Sequence, residues 1–244
     1  MGHGRRFFCP TNLTSPPWKL CEDEARHIRK VLRLQVNDKI TLVDGQGGWV
    51  TATLKTLNDR EAVAEPLGPP RRAEPPILRP HLLVASPDPK VMDQVLEHAV
   101  ELGAWRVAIA VGARSPAPFE ALVKREARFQ TLMRSAVKQS GNLFLPGLGL
   151  YPSIQEALAS LPTRGWLFKQ DAPPFTVQTQ VGDVLLAIGP EGDFTEGEME
   201  MLLRQGLHPA ALGPYTQRVE TAALSALALL GPVTLQADAA KLQG

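Results

Sequence analysis

Apolar and polar positions follow two different rules along this chain, and the change falls near residue 70. Residues 37–57, NDKITLVDGQGGWVTATLKTL, alternate with a period of two around the glycines at 45–48, which predicts a β-hairpin. Residues 22–34, EDEARHIRKVLRL, open with acidic side chains, as a helix dipole favours, and set Ile28, Val31 and Leu32 at i, i+3, i+4. That pattern predicts one short helix with Arg26, Arg29, Lys30 and Arg33 on its other faces. With EAVAEPL following at 61–67, the first part reads as a small β-rich barrel carrying one helix. Beyond it come short continuous apolar runs: LLVA (82–85), VAIAV (107–111), WLF (166–168) and VLLAI (184–188). Runs of this kind suit strands buried on both faces of a parallel sheet. Helical periods lie between them, one through Val91, Val95, Ala99 and Leu102, another through Phe129, Leu132, Met133, Ala136 and Val137. Strands alternating with helices predict an α/β domain with a mainly parallel sheet.

The segment PLGPPRRAEPPILRP, residues 66–80, places six prolines in fifteen positions, and neither a helix nor a central strand survives there. It marks a boundary between a domain at 1–72 and a second at 73–244. Ligands of parallel sheets sit beyond the carboxyl ends of the strands, which directs attention to the loops after Ile188 and Leu212.

Composition narrows the function classes. The chain has 244 residues, 44% apolar and 21% charged, an ordinary folded balance. No apolar run approaches the ~20 residues of a membrane helix, and MGHGRRFFCP lacks the apolar stretch of a secretory signal, so a cytoplasmic protein is expected. Cys9 and Cys21 form neither a disulfide framework nor a CxxC pair, and the five histidines show no HExxH, so no metal is expected. GxSxG, the P-loop and a complete GxGxxG are missing. The net charge of +1 conceals an uneven distribution: residues 5–39 carry +4, residues 104–142 carry +5 and residues 169–244 carry −5. Two basic segments suit a polyanionic partner, or equally two ordinary solvated faces.

Two segments concentrate the candidate chemistry. In VLLAIGPEGDFTEGEME (184–200) a buried strand runs into Gly189-Pro190-Glu191-Gly192, and Thr195 with Glu198 forms a capping box flanked by Phe194 and Met199. Glycines there admit a ligand close to the backbone, while Glu191 and Asp193 disfavour a phosphate, so the loop suits a neutral or cationic ligand. A plain strand–turn–helix corner is the alternative. In LGPYTQRVETAALSALALLGP (212–232) a strand-like end reaches Leu212-Gly213-Pro214, and a polar stretch leads into an Ala/Leu-rich helix that Gly231 and Pro232 are expected to close. That helix is apolar around much of its circumference, which suits either a core helix or a dimer contact.

Together these segments resemble the uridine-N3 methyltransferases of small-subunit (16S) ribosomal RNA, within the SPOUT superfamily. The likeness covers nearly the whole chain: Arg6-Phe7-Phe8, HIRKVLRLQVND (27–38), LVDGQGG (42–48), PKVMDQVLEHAVELGAW (89–105), Arg114-Ser115, KQSGN (138–142), IGPEGDF (188–194) and LGPYTQRVETAAL (212–224). Four departures stand out. Thr216 and Gln217 replace an apolar pair, Asn142 stands for arginine, Asp193 for a third glycine and His98 for lysine. The resemblance implies a PUA-like RNA-binding first domain and a SPOUT domain with a C-terminal trefoil knot. It also implies S-adenosylmethionine as cofactor, a homodimer, and 16S rRNA in the small ribosomal subunit as partner.

On that basis the cofactor-binding candidates are Ile188, Gly189, Pro190, Glu191, Gly192, Leu212, Gly213, Gln217, Arg218 and Thr221. The RNA-binding candidates are Arg6, His27, Arg29, Arg33, Lys90, Arg128 and Asn142; for His27 a core position is the other reading. Arg114, after a buried strand, and Arg218 are catalytic candidates that could hold a phosphate or a developing oxyanion, and a surface salt bridge is the alternative for both. Glu220, like Glu191, is a candidate base, and a cap or turn ligand is the alternative for both. The competing functional reading is an RNA-binding SPOUT protein with an altered target or lost activity.

Overall fold

The computed structural model describes residues 5–9, 13–176 and 181–242, with side chains described as far as residue 231. It falls into two units: the chain up to Pro75 together with Arg134–Leu145, and Pro76–Met133 together with the chain from Pro146 onward.

The first unit is built on one sheet. Its elements are β1 (Arg6–Phe8), β2 (Trp18–Leu20), α1 (Glu22–Arg26), β3 (Lys39–Val43), β4 (Gly48–Leu57), β5 (Ala62–Pro66) and β6 (Arg71–Arg72). The strands pair in the order β1-β3-β4-β5-β2, with β6 on β4. The expected hairpin is β3 and β4, antiparallel, with Val43 opposite Trp49. Its turn is pinned by the Asp44 carboxylate, which accepts the Gln46 and Gly48 amides at 2.7 and 2.8 Å. Gly45 and Gly47 take φ of 72° and 91°, the left-handed region that favours glycine. Phe7, Trp18, Ile28, Ile40, Leu42 and Leu54 fill the core.

The expected single helix over 22–34 is not what forms. Helix α1 covers one turn and passes into a wider π-helical turn, His27–Val31, closed by the Leu32 amide on the His27 carbonyl at 3.1 Å. Adding a residue to the turn rotates the apolar stripe. Ile28 stays buried, Val31 swings out to 65% exposure, and Arg33 falls beyond the helix at φ 53°. A second non-local feature is the return of residues 134–145. The Gly47 amide donates to the Leu143 carbonyl at 2.9 Å, the Leu145 amide donates to Gly45 at 2.8 Å, and Lys138 pairs with Glu24 at 2.8 Å.

The second unit is a parallel sheet of β7 (Leu78–Ala85), β8 (Arg106–Ala110), β9 (Gly147–Tyr151), β10 (Gly165–Phe168), β11 (Gly182–Ile188) and β12 (Leu207–Ala210). The order is β12-β10-β11-β7-β8-β9. The central strands are the continuous apolar runs, with Leu82 to Ala85 and Val184 to Ala187 wholly buried. The edge strands β9 and β12 are partly exposed and carry no such run. The helices are α2 (Pro89–Glu101), α3 (Phe119–Val123), α4 (Glu126–Ser140), which belongs to this unit only as far as Met133, α5 (Ile154–Leu158), α6 (Glu196–Arg204) and α7 (Val219–Leu242). Helix α7 buries Val219, Ala223, Ala226, Leu227 and Leu230 and packs on α2, β7 and β11. It does not stop at Gly231 and Pro232 as the sequence predicts, but runs through both. Proline forfeits one main-chain hydrogen bond, yet its fixed φ is helical, so a turn can continue through it.

Candidate ligand-binding site

Strands β12, β10 and β11 are adjacent and parallel, with Phe168 in register with both Ile188 and Ala210. Their carboxyl ends therefore deliver three loops to one place. Residues 169–176 lie beside the segment after β12: the Phe175 amide donates to Ala211 at 2.8 Å and the Ala211 amide to Pro173 at 2.8 Å. The Gln170 side chain donates to the Pro214 carbonyl at 2.9 Å. The loops enclose a cavity of about 500 Å³, a size usual for small-ligand sites. Phe168, Ile188, Leu212, Val219 and Ala222 give it apolar walls, while Lys169 and Arg218 are balanced by Glu191 and Asp193.

The loop after β11 is shaped by its own residues. The Asp193 amide donates to the Pro190 carbonyl at 2.9 Å, and its carboxylate accepts the Phe194 amide at 2.7 Å. A Cβ at Gly189 would lie 3.0 Å from that carboxylate and 3.3 Å from Phe194, so a side chain there fits only if one of these neighbours shifts by a few tenths of an ångström. Phe194 is buried and Met199 packs on the same cluster, as expected for a hydrophobic staple. The capping box forms as well. Glu198 Oε2 accepts the Thr195 amide at 2.8 Å, and the Thr195 hydroxyl accepts the Glu198 amide at 3.3 Å.

Glu198 does more than cap. Its Oε1 accepts the Ala113 amide at 2.8 Å, tying the loop after β8 to the start of α6. Burial of the carboxyl opposes its ionisation, but the Thr195 and Ala113 amides, the Thr195 hydroxyl and the Arg114 charge outweigh burial and lower its pKa. In that tied loop Arg114 Nη1 donates to the Gly192 carbonyl at 2.6 Å. Local sequence reading places Glu198 only as a cap. Its contact with Ala113 spans 85 positions, and no local pattern carries it.

The cavity gathers most of the expected cofactor residues: Ile188, Gly189, Pro190, Glu191, Leu212, Gly213, Gln217 and Arg218 line it. Gly192 and Thr221 are not among the lining residues, nor is Glu220. Gly192 faces Arg114, whose Cδ would lie 3.3 Å from an added Cβ. Phe168, Lys169 and Gln170 line the cavity without having been expected there. The run WLF ends at Phe168, so the rule about strand carboxyl ends would have found them had the strand order been known.

The RNA-binding candidates are divided between the units. In the first, His27 is exposed rather than core, with its ring edge-on to Phe7 at 6.5 Å between centroids. Arg29 pairs with Asp59 at 2.7 Å, and Arg33 is exposed. Arg6 is half-buried beside Gly141, and the Asn142 side chain accepts the Phe144 amide at 2.9 Å. In the second unit Lys90 is exposed, while Arg128 pairs with Asp93 at 2.8 Å. Among the described residues no group of His, Cys, Asp and Glu could hold a metal ion, and no helix is long and apolar enough to cross a membrane.

Comparison with known proteins places the arrangement. A family model of an RNA methyltransferase PUA domain matches residues 20–67. Among curated proteins, ribosomal RNA small subunit methyltransferase E of Mycobacterium bovis is 28% identical over 233 residues, 89% of this chain and 87% of the relative. A crystal structure of ribosomal RNA small subunit methyltransferase E from Neisseria gonorrhoeae, bound to S-adenosyl methionine, is 30% identical. It superimposes with a TM-score of 0.85, covering 94% of this chain and 97% of that one. A probable rRNA-methyltransferase from Porphyromonas gingivalis, 28% identical, gives a TM-score of 0.78 over 95% and 99% of the two chains. The model of the RNA methyltransferase domain matches residues 73–231 and takes in every loop around the cavity, so this chain belongs to the RNA methyltransferase family.

Proposed function

We propose that this protein transfers a methyl group from S-adenosylmethionine to N3 of a uridine in small-subunit (16S) ribosomal RNA, as a cytoplasmic homodimer. The observation that carries the reading is the cavity at the carboxyl ends of β10, β11 and β12, in a chain 30% identical to a relative whose structure holds that cofactor. Its residues fit the group. S-adenosylmethionine carries no phosphate, and the acidic Glu191 and Asp193 that would repel one are compatible with a cationic sulfonium. Lys169 and Arg218 offer counter-charges for a carboxylate, the apolar walls suit a purine face, and Gly189 permits close backbone approach. Ile188, Gly189, Pro190, Glu191, Leu212, Gly213, Gln217 and Arg218 would hold it.

When bound, the cofactor supplies a methyl group already activated for transfer. The remaining work is to align the base and to remove the N3 proton. Neutral uridine N3–H is a poor nucleophile, and the charge left on O2 and O4 after proton loss calls for positioned donors. Arg218, at the cavity wall, supplies such donors. Arg114 uses one N–H on the Gly192 carbonyl, which leaves others of its five for the base or an adjacent phosphate. Glu191, in the wall, and Glu220, outside the lining, are the candidate proton acceptors. Arg6, His27, Arg29, Arg33 and Asn142 on the first unit, with Lys90 and Arg128 on the second, contact RNA.

The test is methyl transfer from labelled S-adenosylmethionine to small-subunit particles and to free rRNA from cells lacking the enzyme, followed by nucleoside mass spectrometry. The expected product is 3-methyluridine. Transfer to another base or another atom would replace the uridine-N3 assignment, and cofactor binding without any transfer would favour an RNA-binding protein that has lost activity.

A further inference from the structure

A capping box asks one acceptor of its acidic member, for the amide of the capping residue. Glu198 uses Oε2 for that, on the Thr195 amide at 2.8 Å, and has a second oxygen left over. That oxygen, Oε1, accepts the Ala113 amide at 2.8 Å, and Glu198 is buried. Ala113 and Arg114 are the central residues of a tight turn. Its ends are joined by the Ser115 amide on the Gly112 carbonyl at 3.0 Å and the Gly112 amide on the Ser115 hydroxyl at 2.9 Å. A Cβ at Gly112 would lie 3.1 Å from Glu198 Oε1, so glycine lets the carboxylate sit close against the turn. The turn follows β8 and the cavity loop follows β11, and β7 lies between these strands in the sheet. No strand ladder joins the two loops. Two hydrogen bonds bridge the gap instead, Ala113 to Glu198 and Arg114 to the Gly192 carbonyl.

We infer that Glu198 is a positioning residue for methyl transfer: through the Ala113 amide it fixes the turn from which Arg114 meets the base or an adjacent phosphate. The inference rests on the role proposed above for Arg114 and deepens it. Arg114 is exposed, and a long side chain is placed only as well as the backbone that carries it. With the turn held, the guanidinium starts from one position; with it loose, the productive arrangement is rarer and transfer slows. Glu198 is not among the residues that line the cavity, so its loss leaves the cofactor contacts in place. The signature is slower transfer at undiminished cofactor affinity.

The experiment uses the full chain and measures the melting midpoint, S-adenosylmethionine affinity by calorimetry, and single-turnover methyl transfer to small-subunit particles at saturating cofactor and RNA. Glu198→Gln keeps the side chain's size but offers one acceptor where the Thr195 and Ala113 amides each need one. Glu198→Asp is too short to serve both. Thr195→Ala weakens the cap and leaves the Ala113 bond, so it reports what the helix start contributes by itself. Both Glu198 variants are expected to fold, to bind the cofactor within about threefold of the parent, and to transfer methyl roughly 10–100-fold more slowly. Thr195→Ala should transfer at the parental rate. Arg114→Ala should also be slow, and adding Glu198→Gln to it should change the rate by less than about twofold, because the two residues act as a unit. A parental rate in both Glu198 variants, with Arg114→Ala slow, overturns the inference alone. So does an undiminished effect of Glu198→Gln in the Arg114→Ala background, an equal slowing by Thr195→Ala, a matching loss of cofactor affinity, or failure of both Glu198 variants to fold. A parental rate in Arg114→Ala overturns the role of Arg114 and this inference with it. A parent chain that transfers no methyl group overturns the methyltransferase reading itself.

Discussion

Asp193 shows how much one position can settle. Its φ of 62° lies in the left-handed region, where most side chains are strained and asparagine or aspartate is tolerated because the short polar side chain bonds locally. Here the carboxylate accepts the Phe194 amide at 2.7 Å, which compensates for the conformation and aims Phe194 into the core. A third glycine would adopt this turn without strain but without the bond. Asp193→Ala should therefore cost about 1–2 kcal/mol, since it keeps the strain and loses the bond. Asp193→Gly should cost less, because only the bond is lost. Chemical denaturation of the two variants checks the order; a glycine variant less stable than the alanine variant would contradict it. The aspartate is plain in the sequence, as is its departure from the related pattern. Its partner is the neighbouring amide, and only the turn's geometry shows the pair.

Between elements, the clearest electrostatic tie joins β7 to β11 at their start. Asp183 accepts Arg79 Nε at 2.9 Å and Nη2 at 2.6 Å, and it meets His81 Nε2 at 2.8 Å. The Arg79 bonds hold the Asp183 carboxyl down at about 2, from an ordinary 3.8, against the opposing effect of its partial burial and with further help from His81. The folded value lies below the unfolded one, so the unfolded chain binds more protons across that interval. The tie thus contributes fully above 3.8, weakens as pH falls, and is lost near 2. Asp183→Asn should lower stability at neutral pH, and its difference from the parent should shrink to nothing as pH falls through that window. Urea denaturation across the pH range measures it; a constant difference would show that the charge is not what matters. The same two strands are the most legible elements in the sequence, since both faces are buried and the apolar run is continuous. Strands β9 and β12, at the edges, keep one side open and leave no such run. Helix α1 misleads for a different reason: an i, i+3, i+4 stripe presumes 3.6 residues per turn, and the π-helical turn at His27–Val31 breaks that period.

At the scale of the whole molecule, α7 bears on the proposed homodimer. The all-round apolar character of residues 220–230 suits either a core or an interface, and the structure separates the positions. Ala226 is wholly buried within the chain, whereas Leu229 is 41% exposed. Ala226→Glu should prevent folding, because an unpaired carboxylate in the core costs several kcal/mol. Leu229→Glu should fold normally and, if α7 meets a second copy, sediment as a monomer with weakened cofactor binding. Sedimentation of the parent with cofactor at tens of micromolar comes first, and a monomer there would exclude the homodimer.

Local periodicity was enough for the parallel α/β unit, the β-rich first unit, the capping box and the two loops after Ile188 and near Leu212. Each depends on neighbours within a few positions, and burial on one or two faces writes itself into residue type. Strand order is another matter. That β10 lies between β12 and β11 decides that Phe168, Lys169 and Gln170 join the cavity, and no apolar run encodes which strand pairs with which. The Glu198–Ala113 tie and the return of residues 134–145 to the first unit are likewise properties of tertiary structure. They arise where distant segments meet, and a polar group is known to be satisfied or orphaned only once everything around it is in place.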